Sequence, residues 1–157
     1  KAKEEEKEMN IDQLRKELAE DEGCVYEIYL DHLGYPTFGI GHLIRASDPE
    51  DGQPVGTPVS EDRVKQAFEA DIEAVLEDCA RLYDNFYLLP EEVQLIIANM
   101  MFNLGYPRLS KFKGMKAGVD AERWSDAADE MVDSQWYRQV TNRAERLVER
   151  MRQVDGS

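Results

Sequence analysis

Two carboxyl groups and a hydroxyl follow one another closely in this sequence, at Glu22, Asp31 and Thr37, and they are its best candidates for catalytic residues. Glu22 stands where Gly23 ends a helical pattern, and Asp31 begins a turn that Gly34 closes between two β-prone runs. We expect the two carboxyl groups to approach one cleft from different elements. A carboxylic acid that donates a proton, with a carboxylate that activates water or attacks carbon, can break a glycosidic bond. From the residues alone, the retaining and the inverting forms of this reaction both stay open.

The elements that must position these residues begin with one helix and one hairpin. Apolar spacing predicts a helix from about residue 11 to Gly23, with Asn10 as its cap. Residues rich in β-branched and aromatic types predict strands over 25–30 and 35–40. Two glycines in and after the second strand indicate close backbone approach: Gly39 and Gly41.

The rest of the chain is predicted to be mainly helical. Proline and glycine make residues 45–60 a loop with one short strand, and Ser60 caps a long amphipathic helix over about 61–80. The most apolar stretch follows Pro90 and ends at Gly105, which predicts the core helix. Three shorter helices follow, marked by Trp124 after a cap at Asp120, by Trp136, and by Ala144 with Leu147 and Met151.

This order of elements predicts an α+β fold in a single domain, residues 1–157, with two lobes. A small hairpin lobe takes about 11–60, a connecting helix about 61–80, and a larger helical lobe about 81–153. The charged residues 1–8 either fray or extend the first helix. Because ligand sites favour the junction of lobes, we expect the cleft there.

Composition and charge exclude several classes of partner. The chain carries 33 Asp and Glu against 19 Lys and Arg, for a net charge of −14 and a pI near 4.5. Phosphate backbones repel such a surface, so we expect no nucleic-acid partner. No apolar run approaches the roughly 20 residues that span a bilayer, and the first residues lack a signal-peptide core. We expect a soluble protein that has no export signal of its own and does not insert into membranes.

The sequence shows no metal-ligand or disulfide pattern. Cys24 and Cys79 form no CxxC spacing, and we interpret both as free thiols. The acidic run at 48–52 lacks the ligand alternation of a calcium loop, so we interpret it as an acidic surface loop. His32, beside Asp31 in the turn, is expected to be solvated. These residues indicate no metal site.

Several segments together resemble the T-even phage lysozymes, glycoside hydrolase family 24. The resemblance rests first on Asp21-Glu22-Gly23, on the nine-residue step to Asp31, and on Gly34-Tyr35-Pro36-Thr37-Phe38-Gly39-Ile40-Gly41-His42. Further matches are Asn99 to Gly105, Arg123-Trp124 with Ala127-Ala128, Ser134 to Tyr137, and Asn142-Arg143-Ala144. The similarity runs from about residue 11 to 152.

The resemblance implies a lysozyme-like fold and hydrolysis of peptidoglycan at the β-1,4 bond between N-acetylmuramic acid and N-acetylglucosamine. It implies inversion at the anomeric carbon, with Glu22 as the general acid and Asp31 as the carboxylate that activates water. Thr37 would help to hold that water or the transition state. No metal and no organic cofactor is implied.

The resemblance also implies supporting residues. His42 and Asp71 match a structural pair that would hold the hairpin lobe against the long helix. Leu43 and Phe102 match positions that touch the glycan, although Phe102 is equally compatible with a core position. Two other family contact positions fall on Met115 and Glu130, so glycan and stem-peptide recognition is expected to differ in this chain.

Three alternatives to a hydrolase stay open at this point. A lytic transglycosylase uses one acid and leaves an anhydro sugar, and the presence of Asp31 and Thr37 argues against it. A glycan-binding lysozyme-like module without turnover would keep the cleft, and an acidic nucleic-acid mimic would explain only the charge. The catalytic segment does not separate an endolysin released from the host cytoplasm through a holin from a secreted or virion-associated enzyme. We expect a monomer, because no heptad seam stands out.

Overall fold

The computed structural model describes residues 9–155, so the expectation for residues 1–8 lies outside it. The described chain has the predicted α+β architecture, with eight α-helices and a three-stranded antiparallel sheet. It divides into two compact units: a smaller unit, Arg15–Ala74, and a larger unit that contains residues 9–14 and 75–155. None of the helices in these residues is long and apolar enough to cross a membrane.

The smaller unit begins inside helix α1, Ile11–Glu22. The side chain of Asn10 accepts a hydrogen bond from the N–H of Gln13 at 3.1 Å, which confirms the predicted cap. At the other end, the N–H of Gly23 donates to the carbonyl of Ala19 at 2.9 Å, and Gly23 has a φ of +75°. The helix therefore ends where glycine can leave the helical conformation.

The sheet consists of β1 (Val25–Leu30), β2 (Pro36–Gly39) and β3 (His42–Leu43), paired in that order. The hairpin was predicted, whereas β3 was not, because two residues carry no strand periodicity. The predicted extra strand within 45–60 is only an isolated bridge between Glu27 and Pro58.

Helix α2, Glu61–Leu82, follows the loop, and the N–H of Arg63 donates to the hydroxyl oxygen of Ser60 at 3.1 Å. This confirms the predicted cap. The chain passes from the smaller to the larger unit within this helix. The core of the smaller unit is apolar and lies between the sheet, the loop and the helix: Ile28, Phe38, Val59, Val64 and Ala67.

The larger unit is built around α3, Glu91–Leu104, whose side chains are almost all buried. A 3-10 turn at Phe86–Leu88 precedes it. Five helices follow in the order α4 (Tyr106–Leu109), α5 (Lys113–Asp120), α6 (Trp124–Val132), α7 (Gln135–Gln139) and α8 (Thr141–Asp155).

One sequence interpretation is wrong in this part of the chain, and two helices were not predicted. Asp120 does not cap the Trp124 helix, because it is the last residue of α5 and its carboxylate accepts a hydrogen bond from Lys116. The residue before α6 is Arg123, which makes no side-chain cap. Helices α4 and α5 were not predicted, since one is a single turn and the other contains two glycines that lower helix propensity.

The interpretation of residues 48–52 as an acidic surface loop is also wrong in part. Glu50 is only 8% exposed, and the guanidinium of Arg63 donates to both of its carboxylate oxygens at 2.8 and 2.9 Å. Asp48 is half-buried and also accepts from Arg63. Burial of these carboxylates is compensated by an arginine from α2 that the local sequence does not reveal.

Candidate active site

Glu22 is the last residue of α1, and its half-buried carboxyl group lies against the backbone of Gly41. A methyl group on Gly41 would stand 2.6 Å from Oε1 of Glu22 and 2.9 Å from its carboxyl carbon. Both distances are shorter than van der Waals contact. The missing side chain of Gly41 therefore leaves the space that the Glu22 carboxyl group occupies.

Asp31 follows β1, and its carboxylate is oriented by the turn that it begins. Its Oδ1 accepts hydrogen bonds from the N–H groups of Leu33 and Tyr35, both at 2.9 Å. Its carbonyl accepts from the N–H of Gly34 at 2.9 Å, which closes the predicted turn. No partner for Oδ2 lies among the described residues, so this oxygen is available to a water molecule.

Thr37 and Tyr29 are paired across β1 and β2. The hydroxyl of Thr37 donates to the carbonyl of Tyr35 at 2.9 Å, and the side chain is buried. Burial raises the pKa of the Tyr29 phenol, and the negative charges of Glu22 and Asp31 raise it further. Both acids, Thr37 and this phenol therefore belong to the smaller unit, and the raised pKa keeps the phenol neutral.

His42 in β3 contacts two carboxylates. Its Nδ1 lies 2.7 Å from Oδ2 of Asp71 in α2, and its Nε2 lies 2.8 Å from Oδ2 of Asp48 in the loop. An ionised carboxylate only accepts hydrogen bonds, so both ring nitrogens carry a proton when both contacts are made. Burial lowers the pKa of His42, but the two carboxylates outweigh it and raise the pKa above 6.5.

The contact with Asp71 is the one that the sequence suggested, whereas the contact with Asp48 was not foreseen. Asp48 also accepts the N–H of Arg45 at 2.8 Å and the guanidinium of Arg63 at 3.1 Å. Burial alone would raise the pKa of Asp48, and these donors together with His42 lower it. The pKa of Glu50 is lowered by its hydrogen bond to Arg63. A connected charged network therefore joins β3, the loop and α2.

The proposed glycan contacts lie in different units. Leu43 in β3 is 48% exposed. Phe102 in α3 is half-buried, and the next residue, Asn103, accepts a hydrogen bond from the indole N–H of Trp136 at 2.8 Å. Met115 is buried and Glu130 is exposed, and both residues line one pocket of the larger unit.

Several residues of the site carry no sequence signal that would have revealed them. From the sequence alone, Tyr29 is an ordinary tyrosine of a predicted strand, and Asp48 is a carboxylate of a predicted loop. Arg63 is expected to be a solvated residue in the first turn of a helix. Two glycines did indicate the site in the sequence. Close approach at Gly39 and Gly41 was predicted, and in the structure Val64 packs on Gly39 and Glu22 packs on Gly41.

Both cysteines are free, as predicted, with Cys24 exposed and Cys79 buried. Burial raises the pKa of the Cys79 thiol far above its ordinary value, so it stays protonated. His32 is exposed. Residues 9–155 contain no cluster of His, Cys, Asp and Glu that could hold a metal ion.

A family model described as phage lysozyme matches residues 19–153. The match includes Glu22 at the end of α1, the hairpin with Asp31, α2, and the helices of the larger unit. The chain belongs to the phage lysozyme family.

Individual relatives agree with this family. A probable T4-type lysozyme 2 from Dictyostelium discoideum is 28% identical over 88% of this chain and 92% of its own length. The pre-baseplate central spike protein Gp5 of Enterobacteria phage T4 is 29% identical over 83% of this chain, but the match covers 26% of that protein. The peptidoglycan hydrolase gp36 of Pseudomonas phage phiKMV is 31% identical over 87% of this chain and 15% of its own length.

Proposed function

We propose that this chain is a peptidoglycan hydrolase that cleaves the β-1,4 bond between N-acetylmuramic acid and N-acetylglucosamine with inversion. The observation that carries the proposal is that the smaller unit fixes two carboxyl groups, that of Glu22 against Gly41 and that of Asp31 by two backbone amides of its turn. Membership of the phage lysozyme family and the similarity to a peptidoglycan hydrolase support the choice of substrate.

In the proposed mechanism the carboxyl group of Glu22 donates a proton to the leaving glycosidic oxygen. Asp31 accepts a proton from a water molecule through Oδ2, while its Oδ1 stays bonded to two backbone amides. The water attacks the anomeric carbon from the face opposite to the leaving group, which inverts the configuration. The hydroxyl of Thr37 donates its proton to the carbonyl of Tyr35, so it would help to hold this water by accepting a hydrogen bond from it.

We assign glycan contacts to Leu43 and to Phe102. Exposed apolar surface such as that of Leu43 suits the apolar faces of sugar rings. His42 and Asp71 would act structurally, because their contact is buried and joins β3 to α2. The enzyme would act as a monomer.

Product analysis tests the proposed bond and mechanism. Isolated peptidoglycan is digested with the purified protein, the new reducing ends are reduced with borohydride, and the labelled sugar is identified. We expect reduced N-acetylmuramic acid, no anhydro sugar, and the inverted anomer as the first product in NMR spectra. Reduced N-acetylglucosamine would contradict the assigned bond, and an anhydro product would indicate a lytic transglycosylase. Binding to peptidoglycan without any new reducing end would indicate a glycan-binding module.

A further inference from the structure

We propose that Gly41 is a positioning residue for the general acid, because its bare Cα sets where the Glu22 carboxyl group lies. The inference rests on the proposed function, in which Glu22 donates the proton. Gly41 itself needs no contact with the substrate. It acts through the carboxyl group that packs on it.

The contact between the two residues extends along the Glu22 side chain. A methyl group on Gly41 would stand 2.6 Å from Oε1, 2.9 Å from Cδ and 3.1 Å from Cγ of Glu22. The outer half of the side chain therefore lies on this glycine, and not only its tip. Any side chain at position 41 would occupy the same space as the carboxyl group.

The backbone on which Glu22 packs is fixed from both sides. Before it, Gly39 lies against Val64 of α2, where an added methyl group would meet Cγ1 at 3.0 Å. After it, His42 contacts a carboxylate with each ring nitrogen. Because its neighbours are held in this way, the backbone at Gly41 has little freedom to move aside. A new side chain would displace the carboxyl group of Glu22 instead.

A side chain at position 41 would have two effects, displacement of Glu22 and strain in the backbone. A second glycine of this chain allows the two effects to be measured separately. Gly41 has a φ of +61°, which alone makes a larger residue unfavourable. Gly52 has a φ of +83° in the exposed loop, and a methyl group there would meet nothing within 4 Å. Gly52→Ala therefore introduces strain of the same kind without touching Glu22, and it is the matched control for Gly41→Ala.

The first experiment compares kcat and KM on isolated peptidoglycan for the wild type, Gly41→Ala and Gly52→Ala, at a temperature where urea titration shows each to be folded. Since a displacement of about 1 Å can cost about 100-fold in rate, we expect kcat of Gly41→Ala to fall about 10- to 100-fold. Gly52→Ala should keep the wild-type kcat. Equal kcat values for the two glycine variants would overturn the proposal.

A second experiment asks whether the loss acts through Glu22. Glu22→Asp shortens the side chain by one methylene and so withdraws the carboxyl group from the position next to Gly41. We expect Glu22→Asp to reduce kcat strongly in the wild type and much less in the Gly41→Ala background, so that the two changes are not additive. Additive losses in log kcat would contradict a positioning role.

A crystal structure of Gly41→Ala separates this inference from the proposed function, because it needs no turnover. We expect the Glu22 carboxyl group to move by about 1 Å or more, comparable to the displacement that matters for catalysis, while the backbone at position 41 stays in place. A backbone shift that leaves the carboxyl group unmoved would overturn the inference. The carboxyl group could be displaced in the variant while the wild type releases no sugar from peptidoglycan. That result would support the positioning of Glu22 by Gly41 and contradict the hydrolase assignment.

Discussion

The carboxylate of Asp31 has two distinguishable oxygens. One accepts hydrogen bonds from the amides of Leu33 and Tyr35, and these bonds define the turn after β1. The other is the oxygen that we assign to the water molecule. An asparagine at this position can make the same turn with its amide oxygen, but it cannot take a proton from water.

Asp31→Asn should therefore keep the fold and lose activity. We expect the free energy of unfolding to change by less than about 0.5 kcal/mol and the rate on peptidoglycan to fall by about 10²- to 10⁴-fold. Asp51→Asn, in the exposed part of the loop, is the matched control and should behave as the wild type. Activity of Asp31→Asn within a factor of 3 of the control would remove Asp31 from the mechanism.

At the scale of elements, the charged network around His42 joins the shortest strand to the longest helix. A two-residue strand makes few ladder hydrogen bonds, so β3 depends on side-chain contacts for its position. The network should stabilise the smaller unit most where His42 is protonated and its carboxylates are ionised.

The signs of the pKa shifts define this pH range. The pKa of His42 is raised above 6.5, so its contribution to the free energy of unfolding is complete below about pH 6.5 and is lost as pH rises through the raised pKa. The pKa values of Asp48 and Glu50 are lowered from 3.8 and 4.5, so their contribution is complete above about pH 4.5 and is lost in acid. Stability from the network should peak between about pH 4.5 and 6.5.

His42→Gln tests this expectation. At pH 5.5 we expect the variant to lose about 1.5 to 3 kcal/mol of unfolding free energy, since it removes hydrogen bonds to charged partners. The difference from the wild type should shrink as pH rises above 6.5. Urea titrations at several pH values measure it, with the exposed His32→Gln as control. A difference that stays constant from pH 5.5 to 9 would contradict the assigned protonation state.

Helix α5 contains two glycines that differ in what surrounds them. A methyl group on Gly118 would come within 2.8 Å of the backbone nitrogen of Ala127 in α6, so this glycine allows the two helices to pack closely. A methyl group on Gly114 would meet only the side chain of Glu130, which is exposed and can rotate away.

Gly118→Ala should destabilise the larger unit by about 1 to 3 kcal/mol, because backbone must move to accommodate the methyl group. Gly114→Ala should be neutral or slightly stabilising, since alanine is about 1 kcal/mol better than glycine in a helix. Thermal unfolding of both variants measures the difference. Equal midpoints would show that α5 and α6 do not pack as described.

Local signals explain why some elements were predictable from the sequence and others were not. The caps at Asn10 and Ser60 and the stop at Gly23 act within one turn, so the ends of α1 and α2 could be predicted. Gly118 in helix α5 is required by the close contact with α6, and Glu50 is buried because it binds Arg63, so both features depend on distant residues. The motif predicts the two acids and Thr37 as site residues, whereas it does not reveal the packing of Glu22 on Gly41.

On the scale of the whole molecule, the negative charge is unevenly distributed along the chain. Residues 1–104 carry 24 Asp and Glu against 9 Lys and Arg, whereas residues 105–157 carry 9 against 10. The acidic excess therefore lies in the part of the sequence that contains Glu22 and Asp31. An anionic cell wall should repel this part, which affects encounter with the substrate more than bond cleavage.

Lysis of bacterial cell walls should consequently rise with moderate salt. Between ionic strengths of about 0.01 and 0.1 M the Debye length falls from about 30 to about 10 Å, and we expect KM to fall while kcat stays constant. Asp62→Lys combined with Glu73→Lys, both exposed on α2, should flatten this dependence. Activity that decreases steadily from the lowest salt concentration would contradict the repulsion.

The role of Glu22 is tested by measuring the release of reducing ends from isolated peptidoglycan by the wild type, Glu22→Gln and Glu20→Gln. Glu20 lies on the same helix and is exposed, so its variant controls for the change from carboxylate to amide. We expect steady release by the wild type and by Glu20→Gln, with release by Glu22→Gln at least about 10²-fold slower. Equal release by all three proteins, or none by the wild type, would contradict the assignment of Glu22 as the general acid of a peptidoglycan hydrolase.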